Sequence, residues 1–132
     1  MELYEQYKRE YSELVTITDM NLDDRAKRIP YEKHIWISRM TDAKIVRMKL
    51  FKKKRSLRND AISKLIKESP VAIVINKKIL DDIDNSTNLT DINEKIQDYD
   101  FLIEYLELTI KAIMFIAQDI KNIILLKEMR EL

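Results

Sequence analysis

The longest regular pattern in the chain lies between Asp91 and Arg130, where apolar residues recur with alternating spacings of four and three. This spacing places them on one face of an α-helix and is the heptad pattern of coiled coils. The face comprises Ile92, Ile96, Tyr99, Ile103, Leu106, Ile110, Ile113, Ala117, Ile120 and Ile124. It is flanked by a second apolar stripe, which comprises Leu102, Tyr105, Ala112, Ile116, Ile123 and Leu126.

A helix with two apolar faces needs more than one neighbour, and isoleucine at both core positions of a heptad favours assemblies larger than a dimer. The pattern therefore predicts a long, coiled-coil-like C-terminal helix that joins subunits, with an N-terminal cap at Thr90 or Asp91. The residues expected to hold the subunits together are Tyr99, Ile103, Leu106, Ile110, Ile113, Ile116, Ile120, Ile123 and Ile124.

A second long helix is predicted from about Tyr31 to Glu68, with Pro30 in its first turn and Ser69-Pro70 as its stop. Its apolar face is made of Trp36, Met40, Ala43, Leu50, Leu57, Ala61 and Leu65. This face is interrupted between Lys52 and Ser56, where no residue is apolar. The interruption predicts a positively charged collar around the helix.

Shorter segments give weaker patterns. Glu2 to Leu14 predicts a helix with one docking face, and Val15 to Thr18 indicates a short extended piece before a turn at Asp23-Asp24. Val71 to Val74 is compatible with strand, helix or packed loop, and Asp81 to Asn88 is typical of an acidic, turn-rich connection.

Composition favours an all-α fold, because the chain has no Gly and only two Pro. Hairpin turns and phosphate-cradling loops depend on glycine, so their absence is expected. We expect 1–88 to be a helical DNA-binding region and 89–132 an oligomerisation helix, together forming one structural unit. With no Cys and no leader pattern, disulfides and thiolate zinc sites are not expected, and the protein is expected to be intracellular.

Candidate catalytic residues are few. His34 is the single histidine, and the dense carboxylates Asp81, Asp82, Asp84 and Asp91 lie ahead of a helix, where acids stabilise its positive end. A magnesium-dependent nuclease is the alternative for these acids, but we expect no enzyme, metal or cofactor. The apolar run from Leu108 to Leu126 contains several charged residues, so a membrane span is not expected either.

Charge is the feature that points to a ligand. The segment from Lys44 to Lys67 has ten Lys and Arg and one acid, a local charge of +9 in a chain of net charge +1. The acids are concentrated instead between Ile79 and Ile110, with nine Asp or Glu and one Lys. Pairing between the two segments is one interpretation. The other, which we favour, is binding of a single-stranded nucleic acid through its phosphates, with Phe51, Trp36 and the tyrosines as stacking surfaces.

The order of these features resembles the UvsY recombination mediators of tailed phages. The resemblance runs from the acidic N-terminal helix through Ala26-Lys27-Arg28-Ile29-Pro30-Tyr31, the long basic helix and Asp81-Asp82-Ile83-Asp84 to Ile120-Lys121-Asn122-Ile123 and Glu128-Met129-Arg130. It implies a homo-oligomeric ring of about six or seven subunits, closed through the C-terminal helices. It also implies a location in the cytoplasm of the infected bacterial host.

The resemblance further implies a function. Such proteins bind single-stranded DNA and help to load a RecA-like recombinase onto strands covered by single-strand-binding protein. The family's DNA-contacting segment corresponds to Lys52, Lys53, Lys54, Arg55 and Arg58, and the neighbouring cations Arg47, Lys49, Lys64 and Lys67 extend it. The alternative is a coiled-coil scaffold or adaptor that binds an acidic protein or an anionic membrane surface.

Overall fold

The computed structural model describes residues 1–15, 22–69 and 75–131, and within these ranges α-helix is the only regular secondary structure. Four helices follow one another: α1 (Glu2–Leu14), α2 (Leu22–Glu68), α3 (Lys77–Asp84) and α4 (Thr87–Glu131). No β-strand occurs in the described ranges. The predicted all-α class is confirmed.

The start of α2 differs from the prediction. The helix begins at Leu22, so Asp23 and Asp24 form its first turn, where acids stabilise the positive helix end, and Pro30 lies inside the helix. An internal proline removes one backbone hydrogen bond, but Ile29 beside it is buried. Packing of this stretch outweighs the local preference of proline for a first turn.

The acidic connection is also more helical than predicted. Asp81 to Asp84 belong to α3, whose N-terminus is capped by Asn76: its side-chain oxygen accepts a hydrogen bond of 3.0 Å from the N–H of Ile79. A turn at Asn85 and Ser86 leads directly into α4, which begins at Thr87. The predicted cap at Thr90 or Asp91 is therefore wrong, because both residues lie inside the helix. The segment Val71 to Val74, and most of Val15 to Thr18, lie outside the described residues.

The chain forms two compact units. Unit 1 comprises Met1–Asp42 and Leu102–Leu132, and unit 2 comprises Ala43–Phe101. Each unit therefore combines parts of α2 and α4, two helices that are far apart in sequence. The division into 1–88 and 89–132 stays a prediction.

Unit 1 has an aromatic centre around Trp36, which is almost completely buried. The rings of Tyr7 and Tyr11 meet it edge-on, with centroids 5.7 Å and 6.3 Å away. Tyr4 packs edge-on against Tyr105 of α4 at 5.0 Å. The face predicted for the first helix, Leu3, Tyr7, Tyr11 and Leu14, is confirmed in part: Tyr7 and Tyr11 pack against Trp36 and Leu14 is buried, whereas Leu3 keeps 37% of its surface.

Arg39 ties α1 to α2 within the same unit. Its guanidinium carbon lies 4.5 Å from the centroid of the Tyr7 ring and 4.9 Å from that of Trp36, and its Nη1 donates a hydrogen bond to Glu10. This hydrogen bond holds the pKa of Glu10 below its usual value, although partial burial acts in the opposite direction. The pair therefore links α1 to α2 beside the aromatic cluster.

The same unit buries part of the face that was predicted to join subunits. Leu106, Ile113 and Ile120 are covered within a single chain. At one end, Ala26, Ile29 and Pro30 of α2 line a groove together with Ala117, Ile120, Lys121 and Ile124 of α4. The assignment of Leu106, Ile113 and Ile120 to a subunit interface is therefore corrected, because the chain folds back and supplies their neighbours itself.

The rest of that set is less buried. Tyr99, Ile103, Ile110, Ile116 and Ile124 are partly exposed, and Ile123 keeps 36% of its surface. Their contact with other subunits stays a prediction.

None of the helices in the described ranges carries an apolar stretch of the kind that could cross a membrane.

Candidate nucleic-acid interface

In unit 2 the cations of α2 divide between two faces of the helix. At 100° per residue, Arg47, Phe51, Lys54 and Arg58 share one face, because they are spaced by four, three and four. We call this the inner face. On the opposite, outer face lie Lys49, Lys52, Lys53, Lys64 and Lys67, while Arg55 lies between the two. The positive segment therefore presents its cations on two separate faces of α2.

The inner face is partly neutralised by acids of the same unit. Nε of Arg47 donates a hydrogen bond to Asp100 of α4. Arg58 donates from Nε to Oδ1 of Asp84 at 2.8 Å and from Nη2 to Oδ2 at 3.4 Å. The four side chains remain 38% to 49% exposed, so each pair contributes little stability.

The outer face has far fewer partners. Lys49, Lys52, Lys53 and Lys67 are exposed, and none of them forms an ion pair with another described residue. Lys64 makes only a long contact of 4.0 Å with Glu68 one turn away. From Lys49 to Lys67 the helix rises about 27 Å at 1.5 Å per residue, so the outer face presents a row of cations to solvent.

Phe51 is the one predicted stacking residue that lies among these cations. It is 40% exposed, and its ring centroid lies 5.1 Å from the guanidinium carbon of Arg47 and 5.5 Å from Nζ of Lys54. A cavity of about 320 Å³ beside it is lined by Phe51, Lys54, Arg55, Arg58 and Asp84. Trp36, in contrast, is buried in the core of unit 1, so its prediction as a stacking surface is wrong.

The predicted positions of the DNA-contacting residues are therefore not equivalent. Lys52, Lys53 and Arg55 are exposed, without an ion pair in the described part of the chain. Lys54, Arg55 and Arg58 line the cavity. The roles of Asp84 and Asp100 were missed, because they lie 26 and 53 residues from their arginines and no local spacing relates them.

The dense acids do not form a metal site in the described part of the chain. No group of three or more His, Cys, Asp or Glu side chains there is arranged to hold a metal ion. Asp81 and Asp82 are exposed on α3, and His34 is exposed on α2. The carboxylate with a defined partner is Asp84, which binds Arg58.

Comparison of the chain with models of protein families, with curated proteins and with solved structures found no match. A functional assignment must therefore come from the chemistry of the residues and from the resemblance in their order along the chain.

Proposed function

We propose that this protein is a recombination mediator that binds single-stranded DNA without sequence preference. The observation that carries the proposal is the row of exposed cations on the outer face of α2, of which Lys49, Lys52, Lys53 and Lys67 form no ion pair with another described residue. Lysine binds phosphate as a point charge and gives no information about the base, so affinity would be strong at low salt and independent of sequence.

The mediator step would be mechanical, with no covalent chemistry. The protein would bend or wrap the strand, weaken its contacts with single-strand-binding protein and present it to a RecA-like recombinase. The terms recombinase and mediator come from the resemblance to the UvsY family. The charge pattern supports only the binding of a polyanion.

Binding by one row of lysines is weak at physiological salt, so we also propose that the protein acts as a homo-oligomer of about six or seven subunits. The support is the solvent-facing side of α4 in unit 1. Leu108, Phe115, Asn122 and Met129 follow one another at intervals of seven. Seven large apolar side chains are exposed there: Leu108, Met114, Phe115, Ile123, Leu125, Leu126 and Met129.

Exposed apolar surface of this extent is unusual for a monomer and typical of an interface between proteins. Phe115 alone keeps 72% of its surface. Asn122 is the polar member of the stripe formed by Leu108, Phe115, Asn122 and Met129. In coiled coils, an asparagine within an apolar stripe specifies register and oligomeric state. The proposed interface therefore lies on the stripe of α4 that runs through Leu108 and Phe115. This stripe lies beside the buried face that the heptad pattern indicated.

We expect the double substitution Leu108→Lys and Phe115→Lys to reduce the assembly to monomers while the helical content is unchanged, because both side chains are more than half exposed within one chain. Sedimentation velocity measures the change. Glu128→Lys, an exposed position outside the stripe, is the control and should keep the size of the wild-type assembly. An unchanged size in the double variant would place the interface elsewhere.

The proposed function is tested in two steps. Fluorescence anisotropy with labelled oligonucleotides of different sequence should give similar affinities that fall steeply with salt. In a second assay, the protein should restore the ATP hydrolysis of a RecA-like recombinase on a strand covered by single-strand-binding protein. The strand should remain intact on incubation with the protein and Mg²⁺, because the proposal includes no nuclease activity.

Failure to bind the strand, with binding to anionic vesicles or an acidic protein instead, would favour a scaffold or adaptor.

A further inference from the structure

The cavity beside Phe51 combines an exposed aromatic ring with several cations, and this combination fits a nucleotide better than a bare phosphate. We infer that the cavity binds one nucleotide unit of the strand, with the base against the Phe51 ring and the phosphate on Lys54 and Arg55. The inference rests on the proposed function and adds a specific contact to it. The outer lysine row alone would require only the sugar-phosphate backbone.

The ring supports the base contact. Phe51 is 40% exposed although it lies in the middle of a charged helix, and it forms part of the cavity wall. Stacking on an aromatic ring accepts every base, because every base has a π-face. Arg47, which lies 5.1 Å from the ring centroid, does not line the cavity. Its guanidinium, held by Asp100, therefore does not cover the cavity side of the ring, where the side chain of Lys54 lies.

The cations support the phosphate contact. Lys54 and Arg55 line the cavity, and neither forms an ion pair with a carboxylate among the described residues. Lys54 has a flexible four-carbon stem, so its ammonium, now 5.5 Å from the ring centroid, can move from the ring to a phosphate. The positive charge needed to hold one phosphate is thus in place.

Asp84 has a defined part in this site. Its carboxylate accepts two hydrogen bonds from Arg58, in the fork arrangement by which arginine also binds phosphate. Both side chains are about 40% exposed, so water reaches the pair and exchange of the carboxylate for a phosphate is inexpensive. Asp84 therefore holds Arg58 ready in the unbound protein and competes with the strand for it.

The size of the cavity agrees with one nucleotide. Its volume of about 320 Å³ is at the lower end of the range of ligand pockets, which extends from about 300 to 1,000 Å³. Several nucleotides of a strand could not enter together. Each subunit would thus take one base into the cavity, while the outer row of lysines follows the backbone.

The test compares an oligonucleotide of thymidines with an abasic oligonucleotide of the same length. The wild-type protein should bind the thymidine strand at least about fivefold more tightly, the lower limit of the usual effect of stacking one base. Phe51→Leu should bind both strands equally. Phe101→Leu is the control, since Phe101 is also an exposed phenylalanine of unit 2 but does not line the cavity. It should keep the preference.

A second measurement uses the wild-type protein, so its result does not depend on whether a variant folds. 2-Aminopurine placed in the strand should lose fluorescence on binding, because stacking quenches it. Asp84→Asn should bind the thymidine strand more tightly than wild type and with a steeper dependence on salt. Asp98→Asn, which removes an exposed acid of the same unit that lies outside the cavity, should leave both quantities unchanged.

The outcomes separate the inference from the proposed function. Absence of any binding to the thymidine strand would overturn the proposed function. Equal binding of thymidine and abasic strands by the wild-type protein, or unquenched 2-aminopurine, would overturn the nucleotide site while the proposed function stands. Weaker binding by a folded Asp84→Asn would show that Asp84 does not compete with the strand.

Discussion

Replacement of Lys49, Lys52, Lys53, Arg55 and Lys67 by alanine is expected to abolish binding of single-stranded DNA at physiological salt. These residues supply most of the charge that is not already paired with a carboxylate of unit 2. Each phosphate contact that is lost flattens the slope of log affinity against log salt by about 0.7, so five lost contacts lower it by about 3.5. Helical content should be unchanged, because the side chains are exposed and alanine favours the helix.

The control removes the same number of charges from unit 1. Lys8, Lys27, Arg28, Lys111 and Lys121 are all exposed there, and their replacement by alanine should leave affinity and salt slope near the wild-type values. Anisotropy titrations at several salt concentrations measure both quantities. Equal affinities and slopes for wild type and the α2 variant would mean that the basic segment has a structural role, and the scaffold alternative would then apply.

The sequence predicted most helices because periodicity is a local property. The bounds of α1 and the end of α2 at Glu68 are confirmed. The predicted start of α2 was wrong because proline is a local signal for a first turn, whereas the burial of Ile29 depends on residues elsewhere in the chain. The helical nature of Asp81–Asp84 was missed because α3 has only eight residues, about two turns, which is too short for a visible period.

The buried face of α4 was recognised, but its partner could not be. A heptad pattern reports that a face is covered, and it is the same whether the neighbour is another subunit or another helix of the same chain. For Leu106, Ile113 and Ile120 the neighbours belong to the same chain. The exposed stripe through Leu108 and Phe115 has one residue in every seven, a weaker pattern than the alternating spacing of four and three on the isoleucine face.

The sequence predicted the basic segment of the candidate interface, but it did not predict which of its cations are paired with acids. Charge density identified the basic segment, and exposure of Lys52, Lys53 and Arg55 agrees with it. Which cations are neutralised depends on tertiary contacts such as that between Arg47 and Asp100, which composition does not reveal. The pairing of the basic and acidic segments, one of the two interpretations, holds for the two arginines of the inner face.

Ile113→Asp is expected to destabilise unit 1 strongly, because Ile113 has no exposed surface there. An unpaired buried charge costs about 3 to 5 kcal/mol, a large part of the 5 to 15 kcal/mol that stabilises an ordinary domain. Thermal unfolding followed by circular dichroism measures the loss. Ile113→Val should cost only about 0.5 to 1.5 kcal/mol. Lys111→Asp, at an exposed position of the same helix, should change stability little. A wild-type melting temperature for Ile113→Asp together with a smaller assembly would mean that this face joins subunits, because a residue buried within its own chain cannot accept a charge without loss of stability.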